Sequence, residues 1–482
     1  MTTTTALKYQ IVIGLEVHAQ LRTDSKLFCS CSTKFGAEPN AHTCPVCMGY
    51  PGVLPVLNQK AVDFAIQAGL ALDCTINLDS KFDRKHYFYP DLPKGYQVSQ
   101  YDRPLCEHGK LSISNKDVNI VRIHMEEDAG KLVHAGAERL HGSDYSLVDL
   151  NRAGTPLIEI VSAPDINSAD EAVEYVRELR KILLYLGVCD GNMQEGSMRC
   201  DVNISINKPG EGYGTRAEIK NVNSFRSIAR AIEYEYKRQE EILDKGGKVV
   251  QETRLFEEAS GKTHSMRSKE DAQDYRYFPE PDLLPLIVEQ KQIDSSRAGL
   301  PELPQQKQTR YTEEFGLNAE AALILTEDYE STIFFEKVVA SGANASKAAN
   351  WLNGSVTAYL NENKLTLEQT KLSPELLAEM IKLIEEGIIS DNIAKNDIIG
   401  ELLVSGISVK KLIADKGLAQ ITDTGAIKGI VQAVINENPK QLEQFRAGNP
   451  KVKGFFVGQV MKRTEGKASP QIINQLVDEL LV

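Results

Sequence analysis

Ile11-Val12-Ile13-Gly14-Leu15-Glu16-Val17-His18-Ala19-Gln20-Leu21 carries an apolar side chain at every odd position, and from Gly14 onward its even positions are Gly14, Glu16, His18 and Gln20. Period-two alternation of this length predicts a strand with one buried face. The other face then holds a carboxylate and an imidazole about 7 Å apart, from a rise of roughly 3.4 Å per residue. Gly14 leaves room for something to approach the backbone just before them. For a single strand, a plain solvated face explains as much. Three later stretches repeat the pattern and argue against that.

The second stretch runs from Val118 to Asp128, with Arg122, His124, Glu126 and Asp128 on one face and Val121, Ile123 and Met125 on the other. Glu127 falls on the apolar side unless a bulge re-aims it. The third is Leu157-Ile-Glu159-Ile-Val161, after the turn-forming Asn151-Arg-Ala-Gly-Thr-Pro156. A buried charge costs several kcal/mol unless it is paired or bound to metal. Glu159 is therefore read as a ligand, with an internal salt bridge as the alternative. In the fourth, Arg199, Asp201, Asn203, Ser205 and Asn207 alternate with Met198, Cys200, Val202, Ile204 and Ile206.

Pro209-Gly210 then turns the chain through Gly212 and Gly214 into Thr215–Lys220, which reads as a hairpin. This G-x-G-x-G lies between two strands, the wrong context for a dinucleotide fingerprint. Lys220-Asn221-Val-Asn223-Ser224 opens an amphipathic helix reaching about Leu243, capped by Asn223 or Ser224. A helix N-terminus preceded by Lys and Asn suits a phosphate; an ordinary capped helix is the other reading. The segment from Asp274 to Asp282 is extended and adds acids beside aromatics.

Between the first two strands, Cys29-Ser-Cys31 and Cys44-Pro-Val-Cys47 are separated by twelve residues. C-x-C-x12-C-x2-C is close to the spacing of structural zinc knuckles, and four thiolates would leave no open coordination position. Reduced, partly buried thiols are the alternative. Residues 59–72 have helical spacing, and the loop Lys81–Tyr96 gathers aromatics, prolines and bases as a fixed ligand surface would.

With 482 residues the chain is long enough for two to four domains, and 42% apolar and 25% charged residues are ordinary for a globular protein. The net charge of −12 argues against wholesale coating of nucleic acid. From Val409 to Val482, however, 11 Lys+Arg face 7 Asp+Glu, a net of +4, which leaves −16 on the first 408 residues. Any polyanion contact is expected at that basic end, where Lys451, Lys453, Lys462 and Arg463 stand in a stretch without acids. No apolar run approaches a membrane span, the first residues have no signal-peptide core, and the eight cysteines do not form a disulfide framework. These features predict a cytoplasmic protein with no membrane contact.

Composition changes around 290–304, where Gly299, Pro301 and Pro304 read as a linker. Beyond it the chain is helical, with Ser373-Pro374-Glu375 starting one helix. The expected organisation is α+β: residues 1–296 on a largely antiparallel sheet with the knuckle at 29–47, an all-α part over 297–408, and a small helical tail over 409–482.

No phosphate-binding P-loop is present, since Gly261-Lys262-Thr263 lacks the upstream glycine. Glu16, Glu126, Glu159 and Asp201 with His18 suggest instead an oxygen-rich Mg²⁺ site on a curved sheet, holding ATP phosphates.

The segments Ile13–His18, Tyr50–Val56, Lys81–Lys85, His124–Lys131, Leu150–Pro156 and Tyr277–Asp282 together resemble the B-subunit family of the aspartyl/glutamyl-tRNA(Asn/Gln) amidotransferases. Phe455–Lys462 is similar to the YqeY-like tail of that family. The likeness runs nearly end to end. It implies a cradle-shaped kinase domain, a helical domain and a tRNA-binding tail. It also implies a ligase that phosphorylates the side-chain carboxylate of Glu-tRNA(Gln) or Asp-tRNA(Asn) with ATP, then amidates it with ammonia from glutamine. Matching positions place Glu16, His18, Glu126, Glu159 and Asp201 around metal and phosphates, with Glu127 and Lys94 near the exit of an ammonia channel. Arg199, Asn203, Lys220, Asn221 and Ser224 are the expected phosphate and substrate contacts. Because the chain lacks a Ser-Ser-Lys amidase signature, ammonia must come from a partner, in this family the A subunit, with a small C subunit completing a heterotrimer. Two other readings predict different behaviour: a non-catalytic tRNA-binding scaffold, and a free-standing metal hydrolase.

Overall fold

The Ile11–Leu21 alternation becomes the middle strand of a nine-stranded sheet. In the computed structural model, which describes residues 8–134, 145–268, 275–421, 423–447, 449–464 and 466–481, the strands are β1 (Gln10–Gln20), β2 (Thr75–Ile76), β3 (Cys106–Ile113), β4 (Lys116–Glu127), β5 (Pro156–Ser162), β6 (Met198–Asn207), β7 (Ala217–Lys220), β8 (Glu252–Glu257) and β9 (Lys262–Ser268). Their spatial order is β9-β8-β7-β6-β1-β5-β4-β3-β2. All pairings are antiparallel except β7 with β8.

The odd residues of β1, from Ile11 to Ala19, are buried on one face of this sheet. That face is covered by α1 (Gln59–Ala71), which packs on β4, by α2 (Ala169–Tyr185), on β3 and β1, and by α3 (Phe225–Asp244), on β6. Each helix starts at a side-chain cap, respectively Asn58, Ser168 and Ser224, satisfying backbone N–H groups that the first turn cannot. With three helices on the apolar face, the even face of β1 is left open for chemistry. A small three-stranded sheet of Asp83–His86, Tyr96–Ser99 and Phe278–Pro279 carries the aromatic loop. Asp274 lies outside the described residues.

The chain divides into two compact units, Met1–Leu303 and Pro304–Val482. The segment expected to be linker from 290 is instead α4 (Gln290–Ala298), held because Ile293 packs into the first core, so the expected boundary at 296 falls inside a helix. The second unit is helical and has two cores. Helix Val409–Lys416 buries Val409, Leu412 and Ile413 in the first of these, which ends at Leu418; the other is built from Ile427–Leu481. Ile421 already packs against the second core, so the break in packing falls between 418 and 421, beyond the expected 409.

Candidate active site

β1 presents Glu16, His18 and Gln20 on the open face, and strand register decides what stands beside them. Glu16 lies opposite Asp201 of β6, while His18 is flanked by Arg199 of β6 and Glu159 of β5. Glu159 in turn faces His124 of β4. The donor groups collect into two sets, His18–Glu126–Glu159 and Glu16–Asp201–Glu218, each with its ligand atoms within 4.8 Å of one another. The sequence predicts Glu16, His18, Glu126, Glu159 and Asp201 around one ion. Two residues of rise along β1 separate Glu16 from His18, so each instead joins its own neighbours across the sheet.

In the first set His18 Nε2 is 3.3 Å from Glu159 and 3.7 Å from Glu126. His124 Nε2 is 3.3 Å from Glu159 and 3.8 Å from Glu126, and Ser99 Oγ donates to Glu126 at 3.1 Å. Burial pushes both carboxyls up, but the imidazoles, His124 foremost, reverse this and hold Glu126 low and Glu159 well below the usual carboxylate range. Burial would lower the two imidazoles, yet the same carboxylates raise His18, and His124 up to about 9. Lys85, from the aromatic loop, is desolvated too, but Glu126, Tyr277 and Glu159 keep its pKa above normal.

The second set is all carboxylate. Asn203 Nδ2 donates to Glu16 at 2.9 Å, Thr253 Oγ1 donates to Glu218 at 2.9 Å, and Lys220 Nζ sits 2.5 Å from Asp201 and 2.7 Å from Glu218. Burial, with Glu159 and Glu218 nearby, raises Glu16. Burial also acts upward on Glu218, but Lys220, Thr253 and Arg216 outweigh it and bring it down. An all-oxygen donor set suits Mg²⁺, and the mixed set with one imidazole also accepts a divalent ion. Lys220 supplies positive charge to Asp201 and Glu218, the charge a metal there would supply. Gly14, beside Glu16, opens the surface without being demanded by packing: a Cβ there would meet nothing nearer than the Ser162 carbonyl oxygen at 3.7 Å.

Asp128 organises a separate polar knot, accepting from Gln20 at 2.6 Å and Arg199 at 2.8 Å, with Arg152 at 3.6 Å. Arg199 is thus committed to a carboxylate. Glu127 points to the opposite face, as the alternation of β4 requires; the irregularity between β4 and β5 lies at Val161–Ser162 and does not re-aim it. There it pairs with Lys94 and accepts the backbone N–H of Val98 at 3.0 Å. Lys94 and Glu127 line a cavity of 240 Å³ together with Lys26, Tyr96, Cys29 and Cys47.

The four cysteines meet at that cavity. The sulfurs of Cys29, Cys31, Cys44 and Cys47 lie within 4.8 Å of one another, and those of Cys44 and Cys47 are 3.9 Å apart. A tetrahedral ion with bonds of about 2.3 Å requires sulfur separations of roughly 3.8 Å, so the set fits zinc. Lys26, fully buried, puts Nζ 3.6 Å from Cys47 Sγ and anchors to the carbonyls of His42 and Leu150. Hydrogen bonding from Cys29, and Lys26 less strongly, brings the Cys47 thiol down to about 4, while burial and its neighbours push Cys31 up to about 11.

Two expected phosphate contacts are engaged elsewhere. Asn221, at φ +68°, donates to the Phe256 carbonyl, and Ser224 caps its own helix at Ser227 N–H. In the second unit Lys453 pairs with Asp478 at 2.6 Å and Arg463 with Glu437 at 3.0 Å, while Lys451 and Lys462 are exposed. Sequence reasoning missed Glu218, His124 and Lys85 as members of the site. Glu218 was legible: Arg216, Glu218 and Lys220 alternate with Ala217 and Ile219. His124 already stood on the polar face of its strand. Lys85 lay in a loop singled out only as a whole.

Comparison with known proteins covers the whole chain. Residues 11–294 match the GatB/GatE catalytic domain family and residues 333–481 match the GatB domain family that carries the YqeY-like region. The chain is 54% identical to the B subunit of the aspartyl/glutamyl-tRNA(Asn/Gln) amidotransferase from Trichodesmium erythraeum and 55% identical to that from Gloeothece citriformis, across 100% of both chains in each case. It is 53% identical to the protein so named in Oleidesulfovibrio alaskensis, over 98% of this chain and 99% of that one.

Proposed function

The chain belongs to the family of aspartyl/glutamyl-tRNA(Asn/Gln) amidotransferase B subunits, and from that membership we propose that it is a ligase component that phosphorylates the side-chain carboxylate of Glu-tRNA(Gln) or Asp-tRNA(Asn) with ATP and then amidates it. The observation that carries this reading is the pair of adjacent donor sets, His18–Glu126–Glu159 and Glu16–Asp201–Glu218, on one open sheet face. A carboxylate cannot be displaced by ammonia directly, because its leaving group would be oxide. Its oxygen attacks the γ-phosphorus and ADP departs; ammonia then attacks the acyl carbon and phosphate departs.

Mg²⁺ held by these carboxylates would neutralise phosphate charge during the transfer. The chain's own groups do the rest. Asn203 and Thr253 orient Glu16 and Glu218, and His124 keeps Glu126 and Glu159 ionised. Lys220 pairs with Asp201 and Glu218, and with Thr253 and Arg216 it holds the Glu218 carboxyl below the usual carboxylate range. Glu127, paired with Lys94 beside the cysteine knuckle, lines a cavity that would serve as the entry for ammonia. Cys29, Cys31, Cys44 and Cys47 would hold a zinc ion whose role would be structural, fixing the wall of that cavity. Ammonia comes from an amidase A subunit acting on glutamine, and a C subunit completes the assembly.

The test is ATP turnover by the assembled enzyme. Turnover should require misacylated tRNA and should collapse in Glu16→Gln. Turnover without tRNA would indicate a free-standing hydrolase. Normal amide formation in Glu16→Gln would indicate a scaffold whose acids serve only as salt-bridge partners.

A further inference from the structure

Lys26 is 1% exposed, a degree of burial that lysine seldom reaches, and the reaction proposed above makes no use of it. Its ammonium donates to the carbonyl oxygens of His42 at 2.7 Å and Leu150 at 3.2 Å and lies 3.6 Å from Cys47 Sγ, which occupies all three of its protons. The stem runs past Gly154, whose φ of +85° and missing Cβ keep that path open: a Cβ there would stand 3.4 Å from Lys26 Cδ. The backbone is fixed as well. Lys26 N–H donates to the Cys31 carbonyl at 3.0 Å, and Leu27 N–H donates to the Gly154 carbonyl at 2.8 Å. The side chain is built into the fold.

What the ammonium lacks is a carboxylate. Two of its acceptors are neutral carbonyls, and it makes no ion pair with an acid among the described residues. Glu127, which lines the same cavity, is paired with Lys94. A cation taken out of water is strongly disfavoured unless opposite charge stands beside it. The third acceptor belongs to the cysteine set, and Cys47 Sγ also accepts the Cys44 N–H at 3.2 Å. A divalent zinc ion held by four thiolates leaves two surplus negative charges on the cluster. Burial creates the same need there with the sign reversed.

We propose that Lys26 is the counter-cation of a zinc tetrathiolate, positioning Cys47 and neutralising one of the two surplus charges of the cluster. The assignment rests on the structural-zinc reading and adds to it a residue outside the ligand set on which metal affinity depends. The same ammonium joins the knuckle to the rest of its unit. Leu150 precedes the turn into β5, the strand of Glu159, so one side chain ties the sulfur cluster, the loop at His42 and that turn together. Methionine would fill the same space but leave the charge of the cluster buried and unbalanced, which is the physical reason for a lysine at this position.

The experiment is equilibrium competition between the zinc-loaded full-length protein and EDTA, reading the zinc retained, in a double-mutant cycle of Lys26→Met and Cys31→His. Lys26→Met keeps the stem and should weaken zinc binding by about 10–100-fold, as loss of a partner outside the ligand set does. Cys31→His, in the half-buried part of the set, replaces a thiolate by a neutral imidazole and halves the surplus charge. The attraction of Lys26 for the cluster scales with that charge. In the Cys31→His background the same change should therefore weaken binding only by about the square root of its factor in the parent. Equal losses in both backgrounds would mean that Lys26 merely packs against the knuckle, and unchanged affinity in Lys26→Met that it does nothing there. Either result overturns the proposal and leaves the zinc in place. If Lys26→Met alone does not fold, the double variant should fold and hold zinc, because one thiolate fewer offsets the missing cation; a double variant that also fails overturns the assignment. Unmodified protein that retains no zinc would bring down the zinc reading and this one together.

Discussion

Asp201 sits 2.5 Å from Lys220 and opposite Glu16, so its charge serves a neighbour on either side. Asp201→Asn keeps the shape and most hydrogen bonding, and the strand beneath it is anchored by buried Cys200 and Val202. Circular dichroism should therefore be unchanged while tRNA-dependent ATP turnover falls by roughly two orders of magnitude or more, as when preorganised charge is removed from an active site. Glu159→Gln should do the same through the other set; near-normal turnover in both would mean these acids only pair with cations. At the knuckle, purified protein should contain about one zinc per chain, and Cys44→Ser should lose it. Because the sulfur cluster walls the cavity that holds Lys94 and Glu127, this change should lower thermal stability more than it lowers the activity of the molecules that remain folded. Metal analysis showing no zinc in protein kept reduced would refute this.

Single elements were legible where one period dominated. Period two in β1, β5 and β6 and the caps Ser224 and Ser373 could be read directly, since each rests on local geometry. The division of the acids into two sets could not, because it depends on which strands pair and in what register, a property of contacts over a hundred residues apart in sequence. Likewise α4 looked like linker because its face offers little but Ile293 to the core. In the helical unit, the helix Tyr329–Ala340 brings Glu336 to Lys307 Nζ at 2.6 Å, to Arg310 and to the Tyr311 hydroxyl at 3.0 Å. Burial would raise the Glu336 pKa, but these three partners together lower it below 4.5. A depressed carboxyl contributes stability above its unfolded pKa, near 4.5, and loses it as pH falls through the folded value. Glu336→Gln should thus destabilise this unit by about 1–2 kcal/mol at neutral pH. The gap from the unmodified protein should close as pH drops below that value. Trp351, the chain's one tryptophan, lies in the same core and reports the transition by fluorescence. A gap that stayed constant down to low pH would show that the carboxylate is not the stabilising group.

At the scale of the whole chain the charge split gives the last expectation. The cations proposed to meet tRNA lie on or beside helix Val452–Arg463, but two of the four are engaged: Lys453 with Asp478 and Arg463 with Glu437. Lys451 and Lys462 are eleven residues apart, close to three helical turns, so they share one face with exposed Gly458 and Gln459 between them. Counterion release scales with the phosphates neutralised, which makes the slope of log affinity against log salt a count of working cations. Replacing Lys451 and Lys462 together by Gln should weaken tRNA binding and make that slope shallower by about one to two. The pair Lys453→Gln and Arg463→Gln should change it less, because each cation already has a carboxylate. Removing the tail should reproduce the larger effect, provided the deletion begins at 419, since a cut at 409 would also strip Val409, Leu412 and Ile413 from the neighbouring core. If these cations only solvate a small bundle, all three proteins will bind misacylated tRNA with the parental affinity and slope. If Lys453 and Arg463 prove the stronger pair, their carboxylate partners are displaced by RNA, and the slope will fall most in that variant. Isotherms at several salt concentrations on the intact enzyme decide among the three.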